Sequence, residues 1–508
     1  MSTADQFREE IESGYSFKGD AILLGTAMLN AEPISQLHIK MPLKTFNRHG
    51  LISGATGTGK TKTLQVIAEA LSDKGVPVLL MDIKGDLSGL SQSGNAHPKI
   101  DERHKKIGTP WEPKPYPVEF LSISEAPGVR LRATVSEFGP VLLGKILELN
   151  DIQSGVISLV FKYCDDHQLP LLDLKDLRTA LRYLSNEGKA EIEKEYGRIS
   201  GASVGAIMRK IVEVEEQGAE LFFGEPSFDV FDFMERRKGK GNLNVLRLMD
   251  IQDRPKMFST FMLCLLAEIY ETFPEQGDAE EPKLVIFIDE AHLIFKEASK
   301  ALLGQIETII KLIRSKGVGI FFVTQSPADI PAEVLGQLGM KVQHALRAFT
   351  ARDRKAIKLA AENYPISDYY NTAEELTRLG IGEALVTVLN EKGIPTPLCH
   401  TLLRAPFSRM DIINDAEFNQ ALEQSVLRDK YNREIDRESA YEKLTKKLEQ
   451  AAKNQKIPVE QKKPAGKPEP SLVETLSKNT MVRQMGRTLV RELARGFLGV
   501  LGVSSRRR

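Results

Sequence analysis

The stretch Leu51-Ile-Ser-Gly-Ala-Thr-Gly-Thr-Gly-Lys60-Thr61 constrains this chain more than any other. It fits G-x-x-x-x-G-K-[ST], with Gly54, Gly59, Lys60 and Thr61 at the fixed positions. Apolar Leu51 and Ile52 precede it, and Leu64, Val66, Ile67 and Leu71 follow at helical spacing. A strand, a glycine-rich loop and a helix are therefore expected in that order. Glycines let backbone N–H groups curl around a phosphate, and the new helix points the positive end of its dipole at it. Lys60 is placed to reach the β- and γ-phosphates, and the Thr61 hydroxyl to ligate Mg²⁺. Ala55, Thr56, Gly57, Thr58 and the following Lys62 complete the candidate nucleotide-binding set.

A nucleotide site of this kind sits on an α/β sheet, and the rest of the chain supplies one. Residues 76–83 (VPVLLMDI) form a continuous apolar run, as a parallel strand buried on both faces does. Asp82 ends the run and Asp86 follows it. In open α/β sheets the carboxyl ends of strands face the ligand, so both acids are candidates to support or face the substrate. Residues 242–249 read as another strand, and 255–273 as a helix. Then Leu284-Val-Ile-Phe-Ile brings Asp289 and Glu290 to a strand end. Asp289 is placed to hold Mg²⁺ through water, and Glu290 to accept a proton from an attacking water. A helix follows, ending at Arg314-Ser-Lys316-Gly317. The strand 318–323 then runs into Thr324-Gln325, where a γ-phosphate sensor belongs. Strands at 342–349 and 384–389 close the pattern. The alternation predicts a doubly wound, mainly parallel sheet.

Other segments attach to this core. Residues 1–50 hold a short polar helix and apolar pieces (21–25, 37–41), read either as short strands or as a plain extension. The core itself spans 51–90 and 240–405. Residues 91–239 read as a mainly helical insertion, with amphipathic patterns at 141–149, 156–163, 174–184 and 204–214. Residues 406–452 form a charged helical extension, with one long helix expected over 410–452. Lys/Pro-rich 453–470 reads as a flexible linker. The tail 471–508 carries eight basic residues against two acids (Glu474, Glu492). Its arginines at 483, 487, 491 and 495 share one helix face. Such a face suits nucleic acid, anionic lipid or an acidic protein, or simply solvent.

Composition limits the function classes. Lys+Arg and Asp+Glu both number 69, so overall charge gives no sign of wholesale nucleic-acid coating, although a local basic channel is compatible with it. The three cysteines, Cys164, Cys264 and Cys399, lie far apart, which indicates neither a zinc site nor a disulfide framework and fits a reducing cytosol. The start lacks a secretory h-region, and no run of 18 apolar residues occurs. A cytoplasmic protein is expected.

The phosphate loop, Ile288-Asp-Glu-Ala-His292 and Val323-Thr-Gln-Ser-Pro-Ala-Asp-Ile330, in that order, resemble the HerA/FtsK branch of RecA-like ATPases. Met81-Asp-Ile-Lys-Gly-Asp86, 351–361 and 379–397 look like further segments of that core. The chain as a whole is similar to the HerA-like bacterial proteins of the YjgR type. The resemblance implies an ATP- and Mg²⁺-dependent motor, a hexameric ring of identical subunits moving DNA through a central pore. It implies catalytic roles for Lys60, Glu290 and Gln325, and metal support from Thr61 and Asp289. It also implies an arginine finger at Arg314, acting on the neighbouring subunit's ATP, with Arg347, Arg352 and Arg354 as rivals. Such a finger can be worth about 10³–10⁵ in rate. HerA proteins carry a β-barrel before the phosphate loop, for which about 50 residues leave little room here.

Asp289-Glu-Ala-His292 also resembles the tetrad of DEAH-box helicases, but the second motor domain those require is not seen. No guanine-reading N-K-x-D occurs. Two function classes stay open: a DNA translocase or helicase, and an ATP-controlled switch or scaffold acting on a protein partner. A nuclease or other protein partner, and membrane-surface contact through the basic tail, are further possibilities that the sequence leaves open.

Overall fold

The central strands form on short apolar runs, and the helices where the apolar period is three to four. The computed structural model describes residues 2–454, apart from 278, 298–299, 434 and 436. Its strands are β1 (Ala21–Leu29), β2 (Glu32–Pro42), β3 (Gly50–Ser53), β4 (Val78–Asp82), β5 (Val118–Ser122), β6 (Val129–Arg130), β7 (Arg236–Arg237), β8 (Lys240–Gly241), β9 (Leu243–Arg247), β10 (Leu284–Ile288), β11 (Val318–Thr324), β12 (Met340–Gln343), β13 (Glu383–Thr387) and β14 (Cys399–Leu403). β7 and β8 pair with each other. The rest form one 12-stranded sheet in the order β2-β1-β14-β13-β12-β3-β11-β10-β4-β9-β5-β6.

From β12 to β6 every neighbouring pair is parallel. From β2 to β12 every pair is antiparallel. The parallel part is buried on both sides, as its unbroken apolar runs require. On one face Leu80, Phe287, Phe321 and Val323 share a core with Leu64, Ile67 and Leu71 of the Lys60–Asp73 helix. On the other, Leu79, Ile286, Ile320 and Phe322 are equally buried. There Phe295, on the His292–Glu297 helix, packs against Phe322 with ring centroids 5.5 Å apart. Helices thus cover both faces, and the fold is the RecA-like P-loop arrangement. Each buried Leu, Ile or Phe contributes about 1.5–3 kcal/mol.

The helices expected between 91 and 239 are present as Val135–Ile146, Asp151–Asp166, Leu174–Ser185 and Gly201–Glu215. The same stretch also sends β5 and β6 to the edge of the main sheet, so it is not purely helical. Residues 1–50 likewise add β1 and β2 to this sheet, beside β14, which the sequence pattern left unassigned. The strand expected over 342–349 stops at Gln343. There the backbone turns away to serve the phosphate loop: His344 N–H donates to the Ser53 carbonyl (2.7 Å), and the Ala345 carbonyl accepts from Ala55 N–H (2.8 Å). The long helix expected over 410–452 is broken into Asp415–Glu423, Arg428–Tyr431 and Ala440–Asn454. Asn414 caps the first with its side chain, accepting from Glu417 N–H at 2.9 Å. Ser439 precedes the third, and its N–H donates to Glu442 Oε2 (2.8 Å). Polar side chains that satisfy helix starts compete with helix continuation at those points.

Met1–Lys443 form one compact unit; the second, Leu444–Arg508, is described only to Asn454, as the end of a helix. The tail 471–508 and the expected linker beyond Asn454 lie outside the described residues. Among the described residues no helix is long and apolar enough to cross a membrane.

Candidate active site

Parallel strands deliver their carboxyl ends to one edge, and five of them build the site. Register places Ser53 of β3 beside Thr324 of β11 and Gln343 of β12. Ile288 of β10 lies beside Phe322 of β11 and Met81 of β4. The segments that continue past these residues therefore converge: the phosphate loop, Gln325, His344, the acid pair and the turn after Asp82.

The loop from Gly54 to Gly59 needs three glycines in left-handed or otherwise Gly-favouring backbone (φ 152°, 78° and 113° at Gly54, Gly57 and Gly59). A Cβ at Gly54 would stand 2.5 Å from the His344 Cβ. Gly57, at the tip, faces open space. Gly59 precedes the Lys60–Asp73 helix and gives it no side-chain cap. The first N–H groups of an uncapped helix have no intrahelical acceptor, which leaves them to an anion. The loop is braced from behind. Thr58 Oγ1 donates to the Ala55 carbonyl (2.7 Å), and the Thr58 carbonyl accepts from Gly382 N–H (3.1 Å). His344 is fully buried and contacts Thr63 Oγ1 through Nε2 (2.8 Å). Burial, and then the Lys60 charge, depress its pKa to about 4, so it is neutral.

Lys60 is buried and donates to the carbonyls of Gly54 (2.7 Å) and Ala55 (3.2 Å). Burial and then Lys84 lower its pKa, while Glu290 and Asp289 pull it back up. Lysine and acid pair thus share one electrostatic neighbourhood. Asp289 and Glu290 are both buried at the end of β10. Asp289 Oδ1 accepts from Glu290 N–H (2.9 Å), and its Oδ2 has no hydrogen-bond partner. Burial raises the Asp289 pKa to about 7 against the pull of Lys84. A buried carboxylate oxygen with no partner is costly, and a hydrated divalent cation would relieve it. The fit is good for Mg²⁺. No cluster of three or more His, Cys, Asp or Glu among the described residues could hold a metal alone, and Mg²⁺ commonly takes one or two protein ligands plus phosphates and water. Asp289 and the Thr61 hydroxyl are the residues that would hold it, and it would supply charge neutralisation at the phosphates.

Glu290 has a positive φ of 45°, a strained backbone for a residue with a side chain. Its Oε1 forms an ion pair with Lys84, and its Oε2 lies 3.2 Å from His292 Nδ1. Burial pushes its pKa up, and Lys84, His292 and Lys60 together outweigh that, so the net shift is downward. Glu290 is a carboxylate able to accept a proton.

The other expected site residues lie as follows. Gln325 is exposed directly past β11, between the phosphate-loop strand and the acid strand. The Lys62 side chain turns away from the loop, towards the Met410 carbonyl and Gln65 Oε1, which leaves only its backbone for a phosphate. Asp82 faces its own turn, accepting N–H bonds from Gly85 (2.7 Å) and Leu87 (3.2 Å). Arg314 is exposed in the short 3₁₀ turn Arg314–Lys316 before β11. That is the opposite edge of the sheet from the phosphate loop. Of the rivals, Arg347 donates to the Thr377 carbonyl (3.1 Å), while Arg352 and Arg354 are exposed. Sequence reasoning missed Lys84, His344 and Gly382 as site residues. Lys84 carried a usable signal, a cation two residues past a buried strand's end. His344 and Gly382 carried none, because their roles depend on strand order.

The family described as "Helicase HerA-like C-terminal" matches residues 27–508. The DNA double-strand break repair helicase HerA of Saccharolobus solfataricus is 23% identical over 381 residues, 74% of this chain and 68% of that protein. Its counterpart from Sulfolobus acidocaldarius is 22% identical over 402 residues, 77% of this chain and 72% of that protein. Among solved structures, the bacterial conjugative coupling protein TrwBdeltaN70 superposes with a TM-score of 0.50 at 14% identity. It covers 80% of this chain and 95% of its own, a likeness that shows the fold.

Proposed function

Because the chain belongs to the HerA-like C-terminal helicase family, we propose that it is an ATP-hydrolysing motor that moves DNA, working as a ring of identical subunits in the cytoplasm. The observation that carries this reading is the convergence of a phosphate loop, Lys60 and the buried Asp289–Glu290 pair on one sheet edge. In this reading Lys60 and the loop N–H groups hold the triphosphate, with Thr61 and Asp289 holding its Mg²⁺. Glu290 orients the attacking water and takes its proton, Gln325 senses the γ-phosphate, and Arg314 reaches the site of the adjacent subunit. DNA action is proposed from the relatives, which are named as helicases of DNA double-strand break repair.

The test is ATP hydrolysis by purified protein with and without single- and double-stranded DNA, at low and physiological salt. A motor accelerates with DNA, and the acceleration falls as salt rises. Glu290→Gln should keep ATP binding and lose about 10²-fold or more in turnover, and Lys60→Ala should lose tight binding. Robust turnover indifferent to DNA would sink the motor reading and favour a nucleotide-controlled switch acting on a protein partner.

A further inference from the structure

Glu290 can activate water only while one of its oxygens is available; Lys84 forms an ion pair with Oε1 and His292 Nδ1 stands 3.2 Å from Oε2, although neither oxygen has a hydrogen-bond partner. Lys84 is not a chance surface contact. It sits on a turn fixed by the buried Asp82 carboxylate, which accepts N–H bonds from Gly85 and Leu87. Gly85 has φ 79° and passes so close to Met249 that a side chain there would collide with its sulfur. The turn places Lys84 beside the neighbouring strand β10, within ion-pairing reach of Glu290.

The lysine also faces the phosphate loop. Its own pKa is raised, because Glu290 and Asp289 outweigh the opposing effect of burial. The titratable groups that face it are Glu290, Asp289 and Asp86. Lys60 on the phosphate loop and Lys84 beside Glu290 both stand at the carboxyl edge of the parallel strands, and two cations at one edge suit a ligand more highly charged than a single carboxylate. A terminal phosphate held by Lys60 fits that description, and a diphosphate does not extend as far.

We propose that Lys84 is a latch on Glu290 that the γ-phosphate opens: the ammonium exchanges the Glu290 carboxylate for the terminal phosphate oxygen and so frees Glu290 for water only when a triphosphate is bound. This rests on the ATP-site reading above and adds to it a means of telling ATP from ADP. Lys84 acts on the chemistry through Glu290 and is in that respect a positioning residue.

The experiment measures Mg²⁺-dependent binding of ADP and of a β,γ-imido ATP analogue to the full chain by calorimetry. The variants are Lys84→Met, Lys84→Arg, Glu290→Gln and the Lys84→Met/Glu290→Gln double variant. Lys84→Met should weaken the analogue about tenfold and leave ADP within about twofold. Lys84→Arg should restore most of the preference. Glu290→Gln should tighten the analogue, because it releases Lys84, and that gain should vanish in the double variant. Equal losses for both nucleotides, which a purely structural role would give, overturn the latch, as do an unchanged preference or additive effects. If the unmodified chain binds neither nucleotide, the ATP-site reading falls and the latch with it. If it binds both but DNA leaves its turnover unchanged, only the motor reading falls.

Discussion

Glu290 shows how much a single residue is made to bear. It is buried, in strained backbone, and held between Lys84 and His292. Strain of this type costs about 1–3 kcal/mol and persists only where the surroundings enforce it. Here the Asp289 side chain binds the Glu290 N–H, and Ala291 N–H donates to the Val323 carbonyl (3.0 Å). Gly54 is the complementary case, a position defined by what cannot be there. Gly54→Ala would drive a methyl group into His344 at a φ that side chains avoid. Nucleotide binding should fall at least about tenfold, with unfolding of the variant shifted by about 1–3 kcal/mol. A titration of nucleotide against this variant checks the first expectation, and a urea melt the second. His49 sets a pH dependence at the same scale. It is fully buried, with Nε2 donating to the Ile310 carbonyl (2.9 Å) and Nδ1 accepting from Ile320 N–H (3.0 Å). That pattern fits one neutral tautomer. Burial above all lowers its pKa from 6.5 to about 4. In the unfolded chain the ring binds a proton near 6.5, and in the folded chain only near 4. The stabilisation is therefore complete above about 6.5 and is lost as pH falls towards 4, by at most about 3 kcal/mol. Urea melts at pH 7.5 and 4.5 should show the loss, and His49→Gln should show less of it; an equal loss in both proteins would remove His49 as its source.

At the scale of elements, the Lys60–Asp73 helix ties the phosphate loop to the chain past β14. Glu69 is fully buried on it and accepts from Phe407 N–H (2.8 Å) and Ser408 N–H (2.9 Å), with Arg404 Nη1 at 3.4 Å. Gln65, one turn earlier, donates to Ser408 Oγ (2.6 Å) and the Arg409 carbonyl (2.8 Å). Removing one partner of a buried pair leaves the other charge stranded. Glu69→Ala should therefore cost about 3–5 kcal/mol, read by denaturant unfolding; a loss under 1 kcal/mol would mean the 404–409 segment is held by other contacts. These pairings also show what was legible in the sequence. The loop, the acid strand and the alternating elements were readable because each is local: a motif, an apolar run, a helical period. Strand β14 was not, because Cys399-His-Thr-Leu-Leu403 mixes polar and apolar residues and gains its identity only between β1 and β13. Nor was the role of Glu69, because its partners Phe407 and Ser408 come 338 and 339 residues later in the chain.

For the molecule as a whole, the decisive fact is that the residues proposed for the site occupy two opposite edges of one sheet. Lys60, Asp289, Glu290 and Gln325 lie at or beyond the carboxyl ends of the parallel strands, whereas Arg314 precedes the amino end of β11. β11 runs seven residues from Val318 to Thr324, and at about 3.3 Å per residue it separates the edges by roughly 20 Å. An arginine side chain cannot span that distance within one subunit. If Arg314 serves catalysis, it serves the site of another copy of the chain. Arg314 is exposed, with its charge open to a group outside its own subunit. Mixing experiments decide the point. Arg314→Ala alone should lose about 10³-fold or more in turnover. Mixed with Glu290→Gln, which is inactive at its own site but retains its arginine, it should regain activity, because each intact Glu290 then meets an intact Arg314 from a neighbour. Recovery should rise with the proportion of Glu290→Gln protein and then fall as competent sites are diluted. If the mixture is never more active than the sum of its parts, Arg314 is no finger in trans, and the exposed Arg352 and Arg354, at the other edge, become the residues to replace.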